Sequence, residues 1–158
     1  MDEKEFSRLI KKGRYQVFLF TSPCSFPINM FPHYWFVCNK KGKISRWEVL
    51  NRKNKKKKHF GHVYDNFLSP AKGLEIFYFY PGYHWNSKLV LGIEGGENST
   101  ASKMIRFLEK APKNYPYSYK YNLIFGPNSN TFAQWVIDRF PDSGFQLSWT
   151  AIGKNYRK

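Results

Sequence analysis

The sequence predicts an α+β protein, a small central antiparallel sheet with helices packed on it. Three observations lead there. Aromatic residues are abundant, with Phe 15, Tyr 11 and Trp 5, and such side chains prefer half-buried pleated surfaces. β-rich runs cluster in the middle of the chain. Helical periodicity is confined to the start and the second half, which is not a regular βαβ alternation.

Residues 2–12 read as a short amphipathic helix with Phe6, Leu9 and Ile10 on one face and Gly13 as its stop. Arg14 to Phe20 is a strand, and the three prolines Pro23, Pro27 and Pro32 mark residues 22–32 as loop. His33–Cys38 and Ile44–Leu50 flank Asn39-Lys40-Lys41-Gly42-Lys43, the pattern of a β-hairpin. Further strands are expected over Leu74–Tyr80 and Lys88–Ile93, with Pro81-Gly82 as the turn between them. Ala101, Met104, Ile105 and Leu108 recur at helical spacing over 100–110; Asn98, Ser99 and Thr100 offer caps, and Pro112 is the expected end. Tyr121–Phe125 reads as a strand leading through Gly126-Pro127-Asn128-Ser129-Asn130 into a helix over 131–140, closed by Pro141. No repeat or linker divides the chain, so residues 1–158 read as one domain.

Composition bounds the function classes. A hydrophobic fraction of 42% with 23% charged residues fits a folded globule. The apolar runs are too short to span a bilayer. The N-terminal MDEKEFSRLIKK has no apolar core to serve as a secretory signal. Cys24 and Cys38 are the only cysteines, too few for a disulfide framework, so a cytoplasmic location is the expectation. The net charge of +15 attracts polyanions, whether nucleic acid, acidic lipid or acidic glycan. Its densest stretch is the basic loop 51–58, with Arg52, Lys53, Lys55, Lys56, Lys57 and Lys58. Trp47, Phe60 and Tyr64 flank it, and cations beside stacking surfaces suit weak contact with nucleic acid or an acidic surface. No nucleic-acid-binding signature accompanies the loop, and a solvated solubilising segment is the preferred reading.

Two segments carry residues suited to covalent chemistry. Ser129 sits in the turn Asn128-Ser129-Asn130-Thr131 before a helix, where unbonded N–H groups and the positive end of the helix dipole can stabilise an oxyanion. Capping accounts for the same pattern, because Thr131 and Gln134 satisfy the S/T-x-x-E/Q box. His33 opens its strand and can serve as a base, or is an ordinary histidine at a loop–strand junction. Arg46 and Glu48 share one face of the partner strand, and either can meet the His33 region. His59 and His62 are spaced H-x-x-H, but only Asp65 is near them in sequence, so no metal site is expected. His84 reads as a surface residue, Cys24 as a loop thiol reactive if exposed, and Cys38 as a buried small residue. No nucleotide-binding motif is present and no cofactor is expected.

Taken in order, HYWFV at 33–37, SRWEV at 45–49, YPY at 115–117, GPNSNTF at 126–132 and TAIGKNY at 150–156 resemble the bacterial family known as domain of unknown function 3750, over about residues 15–156. That likeness implies membership without implying an activity. A histidine at a strand start, a hairpin, and later N-[C/S]-N-x-F at a helix start are also similar to circularly permuted papain-like proteins. This second resemblance implies His33 as the base, Ser129 where those proteins carry the nucleophilic Cys, and Glu48 as the residue orienting the ring. Asn128, Asn130 and Thr131 would support the turn. Two expectations follow: a hydrolase or acyltransferase acting on an amide, ester or thioester, or an inactive relative that binds a polyanion or protein partner. Serine is a weaker nucleophile than a thiolate and depends on a well-placed base.

Overall fold

The computed structural model describes residues 1–52, 60–77 and 80–157. Its architecture is α+β. One antiparallel sheet holds β1 (Tyr15–Pro23), β2 (Pro32–Lys40), β3 (Lys43–Val49), β4 (Val63–Asp65) and β7 (Lys88–Gly95), in the order β4-β3-β2-β1-β7. A separate hairpin pairs β5 (Lys72–Phe77) with β6 (Tyr80–Asn86). The helices are α1 (Glu3–Ser7), α2 (Thr100–Asn114) and α3 (Ser129–Ile137).

The β2–β3 connection pins the register of the sheet. The turn is only Lys41-Gly42, with both φ angles positive at 52° and 99° and Lys40 opposite Lys43. Positive φ at both central positions matches the right-handed twist of the flanking strands. Asn39 Oδ1 accepts the Gly42 N–H at 2.6 Å and closes it. With the register set, alternation decides which side chains share a face.

Tyr15, Val17, Leu19, Tyr34, Phe36, Trp47 and Val49 project onto the face covered by α2 and α3, where they pack with Met104, Leu108 and Phe132. Phe18, Phe20, Trp35 and Val37 project to the other face, beneath Phe6 of α1 and Ala71. Both faces are therefore apolar along Val17–Phe20 of β1 and Tyr34–Val37 of β2, which is why those stretches read as continuous hydrophobic runs rather than alternating ones. Leu74 N–H donates to Ser22 Oγ at 3.2 Å, anchoring the β5–β6 hairpin to the end of β1.

Several elements differ from the sequence reading, each for a local reason. The first helix ends at Ser7 instead of reaching Lys12. The Gln16 side chain accepts the Lys11 N–H at 2.8 Å and donates to Leu9 O at 3.0 Å, taking backbone groups that a longer helix would use. β1 runs on to Pro23, into the expected loop. Pro81-Gly82 lies within β6 rather than forming a turn; a two-stranded sheet consists of edge strands, where proline is tolerated. α2 passes Pro112 to Asn114, because the Tyr115 N–H still reaches Ala111 O at 2.9 Å. Ser99, of the three caps considered, accepts the Ser102 N–H and starts this helix.

Tyr121–Phe125 is not a strand. Asn122 Oδ1 accepts the N–H groups of Ile124 and Phe125 at 3.1 and 2.8 Å, and this side-chain turn overrides the β propensity of the segment. α3 spans 129–137, not 131–140, because Asn128 is its cap. Phe132 on α3 is fully buried against Tyr115, ring centroids 5.3 Å apart, and joins α3 to the sheet. Phe132→Ala is expected to lower stability by about 3–5 kcal/mol, read as a lower urea midpoint with an unchanged slope.

Candidate functional site

The face opposite α2 and α3 carries charge inside an aromatic frame. Arg46 and Glu48 are two residues apart on β3 and both are completely buried. Arg46 Nη2 donates to Glu48 Oε2 at 2.8 Å, and Nε lies 2.7 Å from Oε1, a two-pronged ion pair. Arg46 Nη1 donates to Ser69 O at 2.8 Å and to Lys72 O, so the guanidinium also braces the entry to β5. Its plane sits over the Trp35 ring, 4.2 Å from the centroid. Trp35 is stacked against Phe20 on its strand neighbour β1.

His33 completes this arrangement. Its ring stacks on Trp35 at 5.7 Å, and Nε2 lies 2.9 Å from Glu48 Oε2. Burial by itself would raise the Glu48 pKa, but the Arg46 guanidinium and the His33 contact outweigh it and hold the carboxyl below its usual range. An ionised Glu48 only accepts, so His33 Nε2 carries the proton and, in the neutral ring, Nδ1 carries the lone pair. From sequence either Arg46 or Glu48 could meet His33; Glu48 is the one that does, and Arg46 supplies the charge that keeps Glu48 ionised.

The second group of residues gathers at the start of α3. Asn128 Oδ1 accepts the N–H groups of Asn130 and Thr131 at 3.0 and 3.2 Å, and Thr131 Oγ1 accepts the Asn128 N–H at 3.0 Å. The capping box is therefore Asn128 with Thr131. The expected Thr131 with Gln134 does not form one; Gln134 binds Asp138 instead. This corrects the expected oxyanion donors. The N–H groups following Ser129 are already satisfied, which leaves Ser129's own N–H in that turn. Thr131 Oγ1 also donates to Gly153 O at 2.6 Å. Asn128 Nδ2 reaches Leu123 O and Ile152 O, so the C-terminal segment is packed against this helix start. Gly153, at φ 79°, leaves no room for a Cβ, which would fall 2.2 Å from Asn128 Nδ2.

Ser129 is the first residue of α3 and only 4% exposed. Among the described residues its hydroxyl has no hydrogen bond, to His33 or to any other group. The link between the two groups is indirect: Asn130 Nδ2 donates to Pro32 O, immediately before His33, at 3.0 Å. α3 covers the face carrying Tyr34 and Phe36, whereas His33 lies on the Trp35 face. Approach of Ser129 to His33 must therefore pass round the start of β2.

A cavity of about 540 Å³ opens at that end of the sheet. His33 contributes to its wall; Leu50, Leu74, Phe67 and Leu123 make it largely apolar, and Ser129 is not among its lining residues. Arg52 and Phe60 are also in the wall, with Arg52 paired to Glu75 and lying over Phe67. Of the basic residues expected to contact polyanions, Arg52 is thus paired to Glu75 while remaining partly exposed. Lys53, Lys55, Lys56, Lys57 and Lys58 lie outside the described residues, as does His59.

The remaining candidates have structural surroundings. Cys24, considered from sequence as reactive if exposed, is partly buried in the cavity wall, and burial pushes its thiol up to about 12, which disfavours the thiolate. Cys38 is fully buried in the core. His84 is half-buried rather than a free surface residue, its Nδ1 lying 3.0 Å from Gly73 O. His62 is buried, edge-on to Tyr64 and Tyr119. Among the described residues no group of His, Cys, Asp and Glu could hold a metal ion, and no helix is long and apolar enough to cross a membrane.

Fold and site together define an α+β protein in which a buried Arg46–Glu48 ion pair holds His33 at the wall of a largely apolar cavity. The family model described as protein of unknown function (DUF3750) matches residues 15–156, nearly the whole chain, and the chain belongs to that family. No curated protein and no solved structure matches it. The more distant likeness to papain-like proteins finds no support in these comparisons.

Two measurements probe the buried charges. Arg46→Met leaves Glu48 buried without its partner and is expected to cost about 3–5 kcal/mol, read from urea unfolding at neutral pH. Glu48 has a depressed folded pKa, so its contribution is present above the unfolded value of about 4.3 and is lost as pH falls through the folded one. The stability difference between wild type and Glu48→Gln should therefore be widest near neutrality and close in acid. A difference constant with pH would show that Glu48 does not titrate with folding.

Proposed function

We propose that this protein is a hydrolase or acyltransferase acting on an amide, ester or thioester, with His33 as general base, Glu48 as its positioning residue and Ser129 as nucleophile. The observation that carries this reading is the 2.9 Å contact between the buried Glu48 and His33, which lines the cavity. A buried carboxylate kept ionised by Arg46 fixes the tautomer and orientation of the imidazole. Ser129 is supported by its unbonded hydroxyl, its place at the positive end of α3, and the Asn130 bond to Pro32 beside His33. Leu123, whose carbonyl binds the α3 cap, is in the cavity wall and brings the helix start to the cavity's border.

In this mechanism Ser129 Oγ forms a bond to the acyl carbon while its proton moves to His33 Nδ1. The Ser129 N–H stabilises the tetrahedral oxyanion. Collapse breaks the bond to the amine, alcohol or thiol, which leaves with the proton from His33. Water or an acceptor alcohol then repeats the sequence in reverse and frees Ser129. The geometry asks for one adjustment, a movement at the start of β2 that brings Ser129 and His33 into contact when substrate is present.

A second reading, a non-catalytic binding module, is favoured by a specific observation: Asn128 occupies two N–H groups of the α3 start and Ser129 does not line the cavity. Fluorophosphonate labelling read by intact mass separates the two. The catalytic reading expects one adduct on wild type, none on Ser129→Ala, and at least about 100-fold slower labelling of His33→Ala. Unmodified, folded wild-type protein would transfer the assignment to the binding module.

A further inference from the structure

We propose that the rim of the cavity docks on an anionic lipid surface, which makes a lipid acyl chain the substrate class of the site. The substrate part rests on the acyl-transfer reading; the docking part does not.

Two loops bound the cavity. Phe26 and Ile28 line it from the segment between β1 and β2, and Tyr121 and Leu123 line it from the segment before α3. Both loops continue outward in large apolar side chains. Phe26 is 60% exposed, Met30 75%, Ile124 60% and Phe125 77%. Scattered exposed apolar residues are ordinary, but four on two loops that share one apolar cavity are not. Ile124 and Phe125 are held in a defined turn, since Asn122 Oδ1 accepts both of their N–H groups. The turn presents the pair outward as a unit.

The chemistry of this rim selects the surface. Phe, Ile and Met side chains gain by entering the boundary between headgroups and acyl chains. Met30 and Ile124 offer no ring on which a base could stack, so a single-stranded nucleic acid is a poorer fit. The net charge of +15 supplies long-range attraction to an anionic leaflet, with Lys120 exposed next to the second loop. No helix among the described residues can cross a bilayer, so the association is peripheral. Docked in this way, the apolar cavity opens toward the acyl chains, and an ester or amide between chain and headgroup comes to lie near His33.

Cosedimentation of the full chain with vesicles provides the test. Wild type should bind phosphatidylcholine vesicles containing phosphatidylglycerol, bind pure phosphatidylcholine far more weakly, and release partly in high salt. Ile124→Ser with Phe125→Ser should weaken binding to the anionic vesicles by about tenfold or more, with an unchanged circular dichroism spectrum. Equal binding of that variant, or no vesicle binding by wild type, would overturn the proposal. So would preferential binding of an oligonucleotide that the rim substitutions leave untouched. Ser129→Ala should dock like wild type. Docking without any fluorophosphonate adduct would thus remove the acyl-transfer reading alone. If the adduct forms, wild type should cleave a decanoyl ester faster than the matching acetyl ester; the reverse preference would remove the acyl-chain assignment.

Discussion

The structure depends most on one buried charge. Glu48 has no access to solvent, and a carboxylate there is tolerable only because Arg46 grips it from the same strand. Once that pair is inside, its remaining hydrogen-bonding capacity has to be met. Arg46 spends its other nitrogen on the carbonyls of Ser69 and Lys72, which fixes how the chain enters β5. Glu48 spends Oε2 on His33 as well, which fixes the ring at the start of β2. Trp35 walls this set with its ring, and its Nε1 donates to Pro70 O at 3.0 Å. A replacement by apolar residues of similar volume would be no less stable in principle. What the charged arrangement adds is a histidine of defined tautomer on a cavity wall.

The same economy governs the start of α3. Asn128 satisfies two N–H groups and the carbonyls of nearby Leu123 and distant Ile152, and Thr131 returns a bond to Asn128 while holding Gly153. The NSNT tetrad is therefore a structural joint linking α3, the loop before it and the C-terminal segment. Ser129 stands in that joint as the member whose side chain takes no part in it. A joint that rigid suits a nucleophile needing a fixed position, and it suits a purely structural helix start equally well. The assignment of chemistry to Ser129 consequently turns on the behaviour of its hydroxyl rather than on the conservative geometry around it.

Much of the fold was legible in the sequence, and three of the failures share one cause. The hairpin over β2 and β3, the face of α2 and the sheet class followed from turn residues, periodicity and aromatic content. The errors at α1, at Tyr121–Phe125 and at the start of α3 all came from polar side chains capturing nearby backbone groups. Gln16, Asn122 and Asn128 each outcompeted a propensity that the surrounding residues expressed. Such captures need a side chain and a backbone group in register, and that register exists only once the chain has folded.

By itself, the sequence determined several of the residues that matter and the patterns that place them: His33 at a strand start, Arg46 and Glu48 on one face, Ser129 close to a helix start, and a strong positive charge. Tertiary structure decided their pairing. Glu48 met His33 because the two-residue hairpin turn set the β2–β3 register, and Arg46 turned inward because both faces of the sheet are covered. Ser129 remained one bond removed from His33 because α3 packs on the opposite face. The cavity, formed by segments far apart in the chain, has no sequence signature at all, since local patterning carries no information about which loops enclose a common space.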